Sequence, residues 1–195
     1  FTPPGPNQTK LRQAFKPFGF SKVFHQGSQH ICFEINLNFT LKCPNRVSAL
    51  VLGDTTGGIG DSSVVDLLED VHPPEHPLGR ALSTHFMEHN PDKTTLFQQI
   101  GLLNPAMPIS VVSQLFRNPD GPKKEQLSKM TTPTLLIVGR EDLIFPPHVM
   151  EAASKLIPNS SLEIVSNAAH STHFEQPEEF NRLVRQLLVD VVDWS

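Results

Sequence analysis

No apolar run in this chain of 195 residues approaches the roughly 18 that a membrane-spanning helix needs, so no spanning segment is expected. The chain opens on Phe1 rather than Met, and no basic stretch followed by an apolar one leads it, so no secretory signal is read. Basic charge is also short: 16 Lys and Arg against 20 Asp and Glu leave a net −4. That balance lacks the footprint of a nucleic-acid binder. Cysteine is scarce as well. Cys32 and Cys43 cannot build a disulfide framework or a four-cysteine zinc site. A reducing, cytoplasmic location is the expectation, with no metal and no cofactor. Asn7-Gln8-Thr9, Asn38-Phe39-Thr40 and Asn159-Ser160-Ser161 match the glycosylation triplet, a pattern that chance supplies often.

Proline is what the chain has in excess, with 18 in 195 residues, close to twice the usual share of about 5%. The prolines cluster and so mark the irregular parts. Residues 1–10 read as coil, Leu11 to Phe18 as a short helix, and Ser21 to Gln26 as a buried strand around Val23-Phe24. From Cys32 to Lys42, apolar Phe33, Ile35, Leu37, Phe39 and Leu41 alternate with polar residues, which taken alone predicts a half-buried strand. Arg46 to Leu52 predicts a core strand closed by Gly53. Between Asp54 and about Glu125, Gly57-Gly58-Ile59-Gly60 and repeated prolines chop the chain into short helical pieces, read as a cap or lid.

Regularity returns at Pro133. Thr134 to Val138 is a continuous apolar strand ending at Gly139, as expected when both faces are covered. Pro147 to Ile157 reads as a helix, Ser161 to Val165 as a strand, and Pro177 to Val191 as an amphipathic helix with Phe180, Leu183, Val184 and Leu187 on one face. Strand and helix alternate at both ends, which predicts an α/β fold with a parallel sheet. Three parts follow: core residues 1–53, a helical cap at 54–125, and core residues 126–195.

The chemistry concentrates in the last third. Asp142 stands just past a core strand, where open α/β sheets place their working residues. The next strand leads through Asn167-Ala168-Ala169 to His170 on the same edge. An acid and a histidine on adjacent loops can hydrogen-bond, which fixes the imidazole tautomer and stabilises its protonated form. That is the acid–base half of a nucleophilic triad.

Pro133 to Asp142, then Ala169-His170, then Glu175-Gln176-Pro177-Glu178-Glu179-Phe180, resemble the C-terminal end of the α/β-hydrolases, and Arg46 to Thr55 resembles the strand after that family's nucleophile helix. The resemblance implies Asp142 as catalytic acid and His170 as base. His173 is a second candidate base and Asp54 an alternative acid. It also implies a helix rather than a strand for Cys32 to Lys42, followed by Pro44-Asn45-Arg46-Val47. A Gly-x-Ser-x-Gly turn should carry the nucleophile. Counting forward from Gly19 puts Gln29 there and counting back from Pro44 puts His30, while the stretch reads Gly27-Ser28-Gln29-His30-Ile31-Cys32. Ser28 is one residue from the expected place and is the candidate nucleophile, with Cys32 the nearby thiol. The family's earlier strands have no counterpart, so a truncated or divergent member is expected, with Lys22 to Gln26 as an open sheet edge inviting self-association. The implied activity is hydrolysis of a small-molecule ester, amide or carbon–carbon bond; a catalytically silent binding protein is the alternative. His85-Phe86-Met87-Glu88-His89 spells an inverted zinc-protease motif, read here as polar histidines on a cap helix.

Overall fold

The computed structural model describes residues 29–103 and 118–191, with side chains from Asn36 onward. The helix at Leu11 to Phe18, the strand at Lys22 to Gln26 with its open edge, and Ser28 lie outside the described residues. In chain order the elements are α1 (Gln29–Lys42), a 3-10 turn (Pro44–Arg46), β1 (Leu50–Gly53), α2 (Ser62–Glu69), α3 (Pro77–Ala81), α4 (Thr84–His89), α5 (Pro91–Leu102), α6 (Lys124–Leu127), β2 (Thr134–Gly139), α7 (Pro147–Lys155), β3 (Ser160–Val165), α8 (Thr172–Glu175) and α9 (Pro177–Val191). Among the described residues, no helix is long and apolar enough to cross a membrane.

The strands form a parallel sheet in the order β1-β2-β3, with Leu52 paired to Leu136 and Leu136 to Leu162. This is an α/β fold. All of β2 is buried, which is why its sequence is apolar without alternation. Its side chains still alternate in direction. Leu136 and Val138 join Leu37 of α1, Val64 and Leu68 of α2, and Val149 and Met150 of α7 on one face. Leu135 and Ile137 join Leu183, Phe180 and Val184 of α9 on the other.

Residues 29–42 are helical, as the resemblance requires and the alternation does not. The helix buries Leu37 and Thr40 and half-buries Leu41, the spacing of one helical face. Thr40 Oγ1 bonds the Asn36 carbonyl at 2.8 Å, so the buried hydroxyl is satisfied within the helix. Phe39 falls on the outer side, where the Arg46 guanidinium sits over its ring at 5.3 Å. The strand expected from Arg46 starts later, at Leu50. Pro44 opens a 3-10 turn there, and Val47 N–H donates to the Pro44 carbonyl at 3.1 Å, which keeps 44–46 out of the sheet.

Between β1 and β2 the prolines start helices instead of only breaking them. Pro77 and Pro91 stand in the first turns of α3 and α5, where a missing N–H costs nothing. Asp61 caps α2 by accepting from Ser63 N at 3.1 Å and also accepts from Lys124 N at 3.0 Å, tying the two ends of this segment together. The glycine cluster serves that closure. A Cβ on Gly121 would lie 1.9 Å from the Gly58 carbonyl oxygen, and Gly60 N–H donates to the Pro122 carbonyl at 3.0 Å.

Gly139 ends β2 at a comparable crossing. A Cβ there would meet the Ala169 carbonyl oxygen at 2.1 Å and that of Ala168 at 2.4 Å. Gly139→Ala is expected to cost about 1–3 kcal/mol of unfolding free energy through overpacking, read as a lower urea midpoint. Gly101→Ala, which meets nothing within 4 Å inside α5, is the control. It should leave stability unchanged or raise it by up to about 1 kcal/mol.

Candidate active site

Loops after β1, β2 and β3 carry Asp54, Asp142 and His170 respectively, all on the C-terminal edge of the parallel sheet. Backbone bonds hold the last two loops together. Arg140 N–H donates to the Val165 carbonyl at 2.8 Å and Glu141 N–H to that of Ala168 at 3.0 Å. Asp142, 1% exposed, accepts through Oδ1 from Ile144 N at 2.7 Å and Phe145 N at 3.0 Å. Its Oδ2 is left to meet His170 Nδ1 at 3.0 Å. An ionised carboxylate only accepts, so Nδ1 carries the proton in that pair. The Phe145 ring stacks on the imidazole, centroids 5.9 Å apart.

Burial works against a charged His170 ring, yet the charge and hydrogen bond of Asp142, aided by Asp54 and Glu175, hold its pKa above the ordinary value. The structure therefore brings Asp142 and His170 together. His173, the second candidate base, sits edge-on to Phe180 at 6.1 Å. Its own burial, followed by the neighbouring His170, pushes its pKa down.

Asp54 lies beside this pair in a different bonding pattern. Its Oδ2 accepts from Thr172 N at 3.0 Å, and its Oδ1 accepts from Thr172 Oγ1 at 2.5 Å and Gly139 N at 3.3 Å. Burial first, and then the negative charge of Asp142, pushes its carboxyl up to about 7, against His170 and the Thr172 bonds.

Two further groups, Glu175 and Thr172, carry no signal of this role in the sequence. Glu175 is buried, and accepts from Ala169 N at 2.7 Å through one oxygen and from Ser83 N at 2.7 Å through the other. Burial raises its pKa against those bonds. It thus ties the histidine loop to the N-cap of α4, where Ser83 Oγ accepts from Phe86 N at 3.1 Å. Beside it, Phe174 packs between Phe86 and Phe97, with centroids 5.6 and 5.2 Å away. Along the chain Glu175 reads only as the start of a motif, and nothing in a lone threonine at 172 signals a buried acid partner.

Of the remaining candidates, Ser28 lies outside the described residues, and Cys32 lies on α1 with its side chain outside them. Cys43 is a half-buried free thiol. His85 and His89 are exposed on α4, stacked 4.2 Å apart, with His89 Nδ1 at 2.8 Å from the His85 carbonyl oxygen.

The model of the alpha/beta hydrolase fold family matches residues 78–177, half of the chain. The chain belongs to that family. It is similar to the 2-hydroxy-6-oxononadienedioate/2-hydroxy-6-oxononatrienedioate hydrolase 2 of Pseudomonas putida, 41% identical over 66 residues that cover 32% of this chain and 22% of the relative. A thermophilic esterase from Thermogutta terrifontis superposes with a TM-score of 0.58 at 24% identity, over 83% of this chain and 61% of that one. The enol-lactonase of Burkholderia xenovorans LB400 does so at 0.60 and 16% identity, over 82% and 63%. These two likenesses show the fold. The α/β hydrolase chain described here thus spans about a fifth of that curated relative and about three-fifths of either structure.

The raised pKa of His170 links its charge to folding. A group whose folded value lies above its ordinary 6.5 contributes stability that is fully present below about pH 6.5 and lost as pH rises through the folded value. Urea unfolding of the wild type and of His170→Gln should show the wild-type advantage larger at about pH 5.5 than at about pH 9. Equal differences at the two pH values would show that the pair is not charge-stabilised.

Proposed function

We propose that this chain is a hydrolase of small-molecule ester, amide or carbon–carbon bonds working by a Ser-His-Asp type mechanism. The buried 3.0 Å bond between Asp142 and His170 carries this reading. With Nδ1 held by the acid, Nε2 is the nitrogen through which such a base works. It takes the hydroxyl proton of the nucleophile, proposed as Ser28, as the oxygen attacks a carbonyl carbon. The imidazolium, stabilised by Asp142, then returns the proton to the leaving group, and water completes the cycle by the same route. The names of the relatives support a carbonyl-directed reaction on a small molecule.

The segment 54–125 is proposed as the cap that shapes the pocket. The bonds of Glu175 to Ser83 and Ala169 support this, because they join that segment to the loop of the base.

A second reading is a catalytically silent binding protein. Gly27-Ser28-Gln29-His30-Ile31 favours it, since Ser28 directly follows its glycine and His30 stands where a second glycine would close the turn. Low turnover of activated esters is expected on the same ground. A serine-directed phosphonate probe decides between the readings. Slow stoichiometric labelling at Ser28, abolished in His170→Ala, is the expected result for the hydrolase. A chain that stays unlabelled and inactive is the silent protein.

A further inference from the structure

Asp54 is spent on nothing in the mechanism above, although it is 4% exposed and stands at the same sheet edge as the acid–base pair. Its backbone has φ +54, in the left-handed region that residues other than glycine rarely adopt. Backbone strain of this kind persists where the surroundings over-determine it. Here the Asp54 N–H is held by the Ile137 carbonyl at 2.8 Å, and both carboxyl oxygens are aimed at Thr172. Thr172 is fully buried, two residues beyond His170.

We propose that Asp54 is a positioning residue for His170: through Thr172 it fixes the loop that carries the base, and it supplies a second carboxylate charge on which the protonated ring depends.

The threonine hydroxyl lets this carboxyl exist in two protonation states without losing a bond. Thr172 Oγ1 lies 2.5 Å from Asp54 Oδ1 and 3.3 Å from the Ala169 carbonyl oxygen. With Asp54 ionised, the hydroxyl donates to it. With a proton on Oδ1, Asp54 donates to Oγ1 and the hydroxyl turns its own proton to Ala169. The two titrations are then reciprocal, because a charged His170 favours ionised Asp54 and an ionised Asp54 favours charged His170. The groups facing this centre are Asp142 after β2, His170 after β3, and Glu175 and His173 from α8. Asp54 thus tunes the base without replacing Asp142 as its hydrogen-bonded acid.

The proposal rests on His170 being the working base, but its test does not require turnover. The His170 ring is followed by NMR through a pH titration of the whole chain, in the wild type and in Asp54→Asn, Thr172→Val and Thr172→Ser. The midpoint is expected to fall in Asp54→Asn, which removes the charge. It should also fall in Thr172→Val, where Asp54 loses its hydroxyl donor and stays protonated to higher pH. Thr172→Ser should keep the wild-type midpoint, since it restores the hydroxyl. If Asp54→Asn does not fold, the two Thr172 variants decide the question. An unmoved midpoint in Asp54→Asn or in Thr172→Val, with a native spectrum, overturns the proposal. If the midpoints move but Ser28 is never labelled, the hydrolase reading fails, and what stands is the coupling of Asp54 to the His170 ring, without a base for it to serve.

Discussion

The close approach of β2's end to the Ala168-Ala169 loop is the constraint on which the rest of the site depends. Gly139 has no side chain to hold that loop away, and the Arg140 and Glu141 amides bond directly to the Val165 and Ala168 carbonyls. Two loops from neighbouring parallel strands are thereby brought into backbone contact. Asp142 and His170 meet across that contact at 3.0 Å. A larger residue at 139 would separate them while leaving both chemically intact.

A single turn of helix distributes the consequences of that contact. In α8, Thr172 reaches down to Asp54 at the end of β1, while Phe174 and Glu175 reach across to α4 and α5. The histidine loop is therefore bound on one side to the sheet and on the other to the helices between β1 and β2. Each tie satisfies a buried polar group or buries an aromatic ring, so none is a surface contact that solvent would screen. Position of His170 and placement of those helices are mechanically one problem.

Electrostatically the centre is a negotiated balance. Three buried acids, Asp54, Asp142 and Glu175, act on the buried His170. Burial penalises every charge there, and it raises the Asp54 and Glu175 carboxyls for that reason. The His170 pKa nevertheless lies above its ordinary value, because the charge and hydrogen bond of Asp142, with the charges of Asp54 and Glu175, outweigh its own desolvation.

Much of the framework was legible in the chain. The unbroken apolar run at 134–138 marked a strand covered on both faces. The spacing of Phe180, Leu183, Val184 and Leu187 marked the helix that covers one of them. Asp142 and His170 were legible because an acid and a histidine after successive strands must share an edge in a parallel sheet. Local pattern was insufficient for residues 32–42, where period-two alternation competed with a helix. What tipped that segment was packing, since Leu37 and Thr40, three residues apart, are buried on one side only in a helix. The start of β1 moved for the opposite reason, a local 3-10 turn at Pro44–Arg46 that the apolar run concealed. The roles of Thr172 and Glu175 came from tertiary structure alone, because their partners Asp54 and Ser83 lie 118 and 92 residues away along the chain. Sequence spacing reports which residues share an element; only the folded chain decides which buried oxygen accepts from which distant N–H.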